Sequence, residues 1–205
     1  MAKSVSSSRW MKEHFDDEYV LRAQQEGYRS RAIYKLKEID EKAKLIKPHM
    51  RVVDLGAAPG GWTQYVAEKV GKSGAVVASD ILDMEPIPGV SVVTGDFREE
   101  AVLDAIIEAL DNNQPDLVIS DMAPNFSGMA ADQPRSMYLV ELALDLARQT
   151  LKPGGAFLCK VFQGEGSEAY FRDLKTSFKV VQIKKPKASR ARSREVYVLA
   201  LGFKA

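Results

Sequence analysis

Cysteine occurs once in this 205-residue chain, at Cys159, so no intramolecular disulfide can form. A reducing setting is the expectation. Histidine occurs twice, at His14 and His49, too sparsely for the His/Cys clusters that hold structural zinc. No apolar run approaches the roughly 20 residues of a membrane-spanning helix. The opening M-A-K-S-V-S-S-S-R-W lacks the apolar stretch of a secretory signal, which leaves a cytoplasmic protein with no membrane contact as the expectation. There is no G-x-S-x-G elbow, so hydrolysis by a Ser-His-Asp triad has no support.

The residues that are present suffice for one α/β domain with a full core, since 45% are hydrophobic and 28% charged. No internal repeat or linker divides the chain. It reads as one domain over 1–205, with a flexible polar tail over 1–8 and a basic helical lead-in over 9–50. The net charge of +1 conceals an asymmetry: residues 1–50 hold 11 Lys/Arg and 8 Asp/Glu, residues 51–150 hold 6 and 16, and residues 151–205 hold 12 and 4. An acidic middle between basic ends suggests a cation-binding core beside an anion-binding rim. Lysines scattered over a solvated surface would give the same counts.

The lead-in predicts a charged helix from Arg9 to Glu26, interrupted by Gly27. Ser30 is the expected N-cap of a second helix, Arg31 to Lys44, with Ile33, Leu36 and Ile39 as its apolar stripe. Lys35 lies off the centre of that stripe and is expected at a rim or cleft. From Arg51 onward strands and helices alternate. Strands are expected at 51–55, 75–79, 90–94, 116–120, 155–161, 178–184 and 195–202, and helices at 61–70, 98–110, 135–150 and 167–177. Short apolar runs such as Leu117-Val118-Ile119 suit parallel strands buried on both faces. The last two strands have no helix between them and should form an antiparallel edge hairpin.

The stretch R-V-V-D-L-G-A-A-P-G-G-W, Arg51 to Trp62, reads as strand, glycine turn, helix. This is the first βα unit of a nucleotide-binding sheet, with Gly56 allowing close backbone approach. The spacing is not that of a dinucleotide fingerprint, and no lysine follows Gly61 as a Walker loop requires. Asp54 beside the turn suits a cationic ligand, such as the amino group and sulfonium of S-adenosyl-L-methionine. Ligands of open α/β sheets bind beyond the carboxyl ends of the strands. Those ends carry Asp80, placed for ribose hydroxyls, Asp96, placed for an adenine amino group, and Asp121 in S-D-M-A-P-N. Any one of these acids is equally at home as a helix cap; together they outline a site.

Lys160 sits in the apolar strand A-F-L-C-K-V-F, where an unpaired ammonium costs several kcal/mol if buried. It needs carboxylate partners or a cleft. Cys159 should face the opposite side of the sheet as a core residue. The hairpin loop K-K-P-K-A-S-R-A-R-S-R-E carries Lys184, Lys185, Lys187, Arg190, Arg192 and Arg194 before its first acid, Glu195. Arg190, Arg192 and Arg194 are candidate RNA contacts, and Arg29 and Arg31 extend the same patch.

With D-L-G-A-A-P-G-G-W, S-D-M-A-P-N, K-V-F-Q-G-E-G and S-R-A-R-S-R-E-V-Y in view, the chain resembles the FtsJ/RrmJ family of ribosomal RNA ribose 2′-O-methyltransferases from about Ser6 to Phe203. The resemblance implies a Rossmann-like methyltransferase fold: a mostly parallel seven-stranded sheet with an antiparallel edge hairpin and helices on both faces. It implies S-adenosyl-L-methionine as cofactor, with contacts at Gly60, Trp62, Asp80, Asp96 and Asp121. It also implies a catalytic tetrad of Lys35, Asp121, Lys160 and Glu195. The implied reaction is methylation of a uridine 2′-hydroxyl in the 23S rRNA A-loop of the large ribosomal subunit. Separately, no strongly apolar exposed helix stands out in the sequence, so a monomer is the expectation. Two other readings carry less: a base-carbon methyltransferase, for which Asn125 stands where a thiol is needed, and an RNA-binding assembly factor with a vestigial cofactor site.

Overall fold

The computed structural model describes residues 17–124 and 131–205. The expected tail over 1–8, residues 9–16 of the expected lead-in helix, and Asn125 lie outside the described residues. Asp17 is extended and accepts from the Tyr19 N–H as an N-cap, so the expected helix does not run continuously from Arg9 but starts at Glu18. Two helices, α1 (Glu18–Gln25) and α2 (Ile33–Ala43), precede β1 (Arg51–Leu55) and α3 (Gly61–Val70). Then come β2 (Ala75–Asp80), β3 (Val90–Thr94), α4 (Glu100–Ala109), β4 (Leu117–Ser120), α5 (Asp132–Thr150), β5 (Ala156–Phe162), α6 (Ser167–Ser177), β6 (Phe178–Lys184) and β7 (Glu195–Phe203).

The seven strands form one sheet in the order β3-β2-β1-β4-β5-β7-β6. β1 through β5 run parallel, and β7 is antiparallel to both β5 and β6. The expected edge hairpin is therefore present, with β7 inserted between β5 and β6. Two cores cover the two faces. Val53, Leu55, Phe157 and Cys159 face α4, α5 and α6. Val52, Leu117, Leu158 and Tyr197 face α2 and α3 through Leu36, Trp62 and Val66. Alternate residues of β1 thus serve opposite layers, which is why the neighbours Val52 and Val53 are both apolar and both buried.

Two element boundaries differ from expectation for identifiable reasons. α2 begins at Ile33 with Ala32 as its cap and no side-chain capping bond, so Ser30 is not the N-cap. Ser30 instead packs against α3: a Cβ on Gly61 would lie 2.5 Å from its Oγ. α5 begins at Asp132 rather than 135. Pro134 falls in its first turn, where a missing N–H costs nothing because no intrahelical acceptor exists for it. The left-handed turn that ends α2 at Lys44 is held by Asp40, buried between the backbone N–H of Ile46 (2.7 Å) and the Tyr65 hydroxyl (2.8 Å).

Candidate active site

The strand order reverses beside β1, whose neighbours are β2 on one side and β4 on the other. At such a reversal the loops beyond the carboxyl ends part and leave a crevice. Here they enclose a cavity of about 610 Å³ lined by Gly56, Asp80, Asp96, Phe97, Asp121 and Leu142, among others. That volume lies in the range of small-molecule and cofactor sites. Gly56 has φ +73°, and a Cβ there would fall 2.3 Å from Met122 Cγ. Only glycine lets the turn after β1 and the loop after β4 close on each other.

The acids divide into those on the cavity wall and one behind it. Asp80 accepts from the N–H groups of Ala58 and Leu82, both at 2.9 Å, so it ties the glycine turn to the loop after β2. Asp96 is clamped by the Arg98 guanidinium, which also bonds the Tyr138 hydroxyl at 3.1 Å. The hydrogen bond from Arg98 holds the Asp96 carboxyl below its ordinary range, against the opposing effect of burial. Asp54, expected to draw a cationic ligand, is not on this wall. It is 1% exposed and accepts from Thr63 Oγ1 at 2.7 Å. Burial pushes its carboxyl up to about 7, and the charges of Asp121 and Asp80 push the same way, against the Thr63 bond. The acidic character of the cavity is thus set by Asp80, Asp96 and Asp121.

Gly60 and Trp62 also sit behind the cavity. Gly60 has φ +106° and caps α3. The Trp62 ring is buried, donates from Nε1 to the Ala32 carbonyl at 2.8 Å, and packs on Tyr197 with centroids 5.7 Å apart. Its indole is thus engaged within the protein, and its backbone N–H lies in the first helical turn, where such groups lack intrahelical acceptors.

Beside Asp121 the structure assembles the remaining charged residues. Lys160 is 7% exposed. Its Nζ lies 3.1 Å from Asp121 Oδ1 and also donates to the Asp121 main-chain oxygen. Lys35 reaches from α2 to Glu195 Oε1 at 2.7 Å. Burial raises the Glu195 carboxyl, but the charge and hydrogen bond of Lys35, with help from Ser189 and Lys160, outweigh it and hold the group below its ordinary range. The two ion pairs meet on Tyr197. Its hydroxyl donates to Asp121 Oδ1 at 2.7 Å, and Lys35 Nζ stands 5.8 Å from its ring centroid. Burial, then the Asp121 charge, raises the Tyr197 phenol well above its ordinary value, so it stays a hydrogen-bond donor.

Tyr197 is the member that the sequence reading missed. The signal was available: Glu195 and Tyr197 are two apart on one strand and so share a face, with Tyr197 paired directly to Lys160. Cys159 does face away, buried in the opposite core. Among the described residues no three His, Cys, Asp or Glu side chains are grouped to hold a metal ion.

The RNA candidates divide as well. Arg31 bonds Asp17 and the Ala188 carbonyl, while Arg29 bonds the carbonyls of Pro59, Glu85 and Pro86. Both guanidinium groups, expected on an RNA-facing patch, are engaged inside the protein. Lys185 braces the hairpin loop by donating to Ser193 and Glu195 carbonyls. Lys187, Arg192 and Arg194 are exposed, and Arg190 is half-buried near Asp17.

A seven-stranded sheet with one antiparallel insertion and its crevice at β1/β4 defines a Rossmann-like methyltransferase fold. The family model for FtsJ-like methyltransferases matches residues 28–203. The chain belongs to that family. A "Ribosomal RNA large subunit methyltransferase E" from Chromohalobacter salexigens is 65% identical over 201 residues, covering 98% of this chain and 96% of that one. A crystal structure described as a ribosomal RNA methyltransferase from Plasmodium falciparum superposes with a TM-score of 0.75 at 30% identity, covering 86% of this chain and 98% of the other. A complex of fibrillarin and Nop5p shares the fold at a TM-score of 0.53 and 17% identity, over 76% of this chain and 73% of the other.

Proposed function

We propose that this protein transfers a methyl group from S-adenosyl-L-methionine to the ribose 2′-hydroxyl of a uridine in the A-loop of 23S rRNA, on the large ribosomal subunit. The observation that carries the reading is the nearly buried Lys160–Asp121 pair at the edge of the cavity, with Lys35 and Glu195 paired beside it. The cavity suits the cofactor. Asp80 and Asp96 offer acceptors for ribose and adenine donors, Phe97 and Leu142 an apolar wall, and Asp121 a negative charge toward a cationic tail. When bound, that cofactor supplies a methyl group on a sulfonium, an electrophile that needs in-line attack.

A ribose hydroxyl is a weak nucleophile at pH 7, so positioning supplies much of the catalysis. An ammonium has three donors. Lys160 spends two on Asp121. In the remaining direction the third N–H of the ammonium stabilises a developing alkoxide, whereas a neutral amine there uses its lone pair to take the hydroxyl proton and becomes that ammonium. Asp121 and Glu195 orient the two amines, and Tyr197 fixes Asp121. Joining an alkoxide to a cation destroys charge, so the low exposure of Lys160, Tyr197 and Glu195 favours the step. A base-carbon mechanism needs a thiol at the site, whereas Cys159 lies in the other core.

RNA enters along the exposed basic hairpin, and the protein acts as a cytoplasmic monomer. Among the described residues no helix is long and apolar enough to cross a membrane. The test is transfer of labelled methyl from the cofactor to large subunits lacking this protein's activity, followed by mass mapping of the product nucleotide. Label on a uridine ribose in the A-loop supports the reading. Label on a base carbon, or none, overturns it.

A further inference from the structure

Arg29 lies in the turn between α1 and α2, outside both the tetrad and the cavity wall. Its backbone N–H donates to Gln64 Oε1 of α3 at 2.9 Å, which seats the turn on the helix that follows the glycine loop. Its guanidinium then reaches two further segments. Nη1 bonds the Pro59 carbonyl at 3.2 Å and the Glu85 carbonyl, and Nη2 bonds the Pro86 carbonyl at 2.9 Å. One side chain therefore ties the glycine turn after β1 to the connection that joins β2 to β3.

That connection has no regular secondary structure, and Ile87 is its one buried side chain. It runs over residues 81–89 with no helix or strand and contains Pro86 and Pro88, which have no N–H to donate. It begins directly after Asp80, and its Ile81 and Leu82, 71% and 63% exposed, line the cavity. Large apolar side chains this exposed mark a binding surface rather than a core. Farther along, the same connection packs on Gly60. A Cβ there would lie 2.9 Å from Met84 Sδ, 3.0 Å from Arg29 Nη1 and 3.1 Å from Ile87 Cδ1. Gly60 has φ +106°, and this strap rests directly on it, so both the backbone and the space favour glycine there.

We propose that Arg29 is a positioning residue for the cofactor: its guanidinium clamps the 81–89 strap onto the glycine turn and so sets Ile81, Leu82 and Asp80 against the nucleoside. This rests on the reading that the cavity holds S-adenosyl-L-methionine. Lysine cannot replace it, because one ammonium lacks the planar fork that spans carbonyls on two segments.

The test compares wild type, Arg29→Lys, Arg29→Ala and Met84→Ala by calorimetric binding of S-adenosyl-L-methionine and by RNA binding across a salt series. Both Arg29 variants should weaken cofactor binding by about tenfold, the loss expected for one or two charge-assisted hydrogen bonds. The cofactor KM should rise in step. Met84→Ala loosens the strap without touching Arg29 and should weaken cofactor binding in the same direction. The slope of RNA affinity against salt should not move in any variant. Cofactor affinity within twofold of wild type in both Arg29 variants overturns the proposal. So does a fall of about 0.7–0.9 in the salt slope for Arg29→Ala, which marks a phosphate contact. If Arg29→Ala does not fold, Arg29→Lys and Met84→Ala decide by the same criterion. A wild-type protein that binds no S-adenosyl-L-methionine refutes the cofactor reading itself.

Discussion

Lys160 and Tyr197 stand directly opposite one another in the β5–β7 ladder, and both reach the same oxygen, Asp121 Oδ1, at 3.1 and 2.7 Å. A partly buried carboxylate held by an ammonium and a phenol has its orientation set from two sides, and it in turn sets the ammonium. Lys160→Ala should abolish methyl transfer while S-adenosyl-L-methionine still binds. Tyr197→Phe should keep the ion pair and lose one hydrogen bond to a charged group, lowering turnover by about tenfold. Glu195→Ala should be milder than Lys160→Ala. Single-turnover transfer with a parallel binding measurement checks all three, and near-normal transfer by Lys160→Ala contradicts the assignment.

The buried carboxyl of Asp54 makes stability depend on pH. Its folded value is pushed up to about 7 from an ordinary 3.8. Between these values the native state holds a proton that the unfolded chain has released. Stability from this group therefore falls as pH rises from about 4 to about 7, and the loss persists above that. Asp54→Asn keeps a carbonyl for Thr63 and removes the titration. Its Tm should exceed that of wild type by several degrees at pH 8 and by little at pH 4. An equal difference at both pH values shows that Asp54 does not titrate in this way.

Cys159 should be chemically silent in the native protein. It is buried in the core between the sheet and α5 and α6, and burial pushes its thiol up to about 12, which leaves almost no thiolate at neutral pH. A chromogenic disulfide reagent should label it only after denaturation. Rapid labelling of the folded protein means that this face of the sheet opens.

The exposed bases of the β6–β7 loop should appear in the salt dependence of RNA binding. Replacing Lys187 or Arg194 with Ala should weaken binding at low salt and reduce the slope against salt by about 0.7–0.9 each. Unchanged slopes for both place the RNA elsewhere.

The strand-helix alternation from Arg51 onward was legible because buried parallel strands demand short apolar runs, and helices a three-to-four-residue spacing. Both are local patterns. The expected bounds of β1, α3, α6 and β6 coincide with the observed ones. The α2 boundary was misread because Ser30, a good cap by residue type, lies against Gly61 instead, a contact between residues 31 apart.

The site divides along the same line. By itself the sequence determined which residue types stand at the carboxyl ends of the strands, since glycines and acids interrupt apolar runs wherever they fall. It also determined that Lys160 needed a partner, because an ammonium in an apolar strand is costly alone. Only the tertiary structure decided which acid turns toward the cavity and which away. Asp80, Asp96 and Asp121 line it, while Asp54 hydrogen-bonds Thr63 beneath the turn. It likewise decided that the guanidinium groups of Arg29 and Arg31 hydrogen-bond to distant segments of the chain, and that Tyr197 joins the two ion pairs. These outcomes depend on which distant carbonyl or carboxylate lies within about 3 Å of a donor, and chain folding alone brings such partners together.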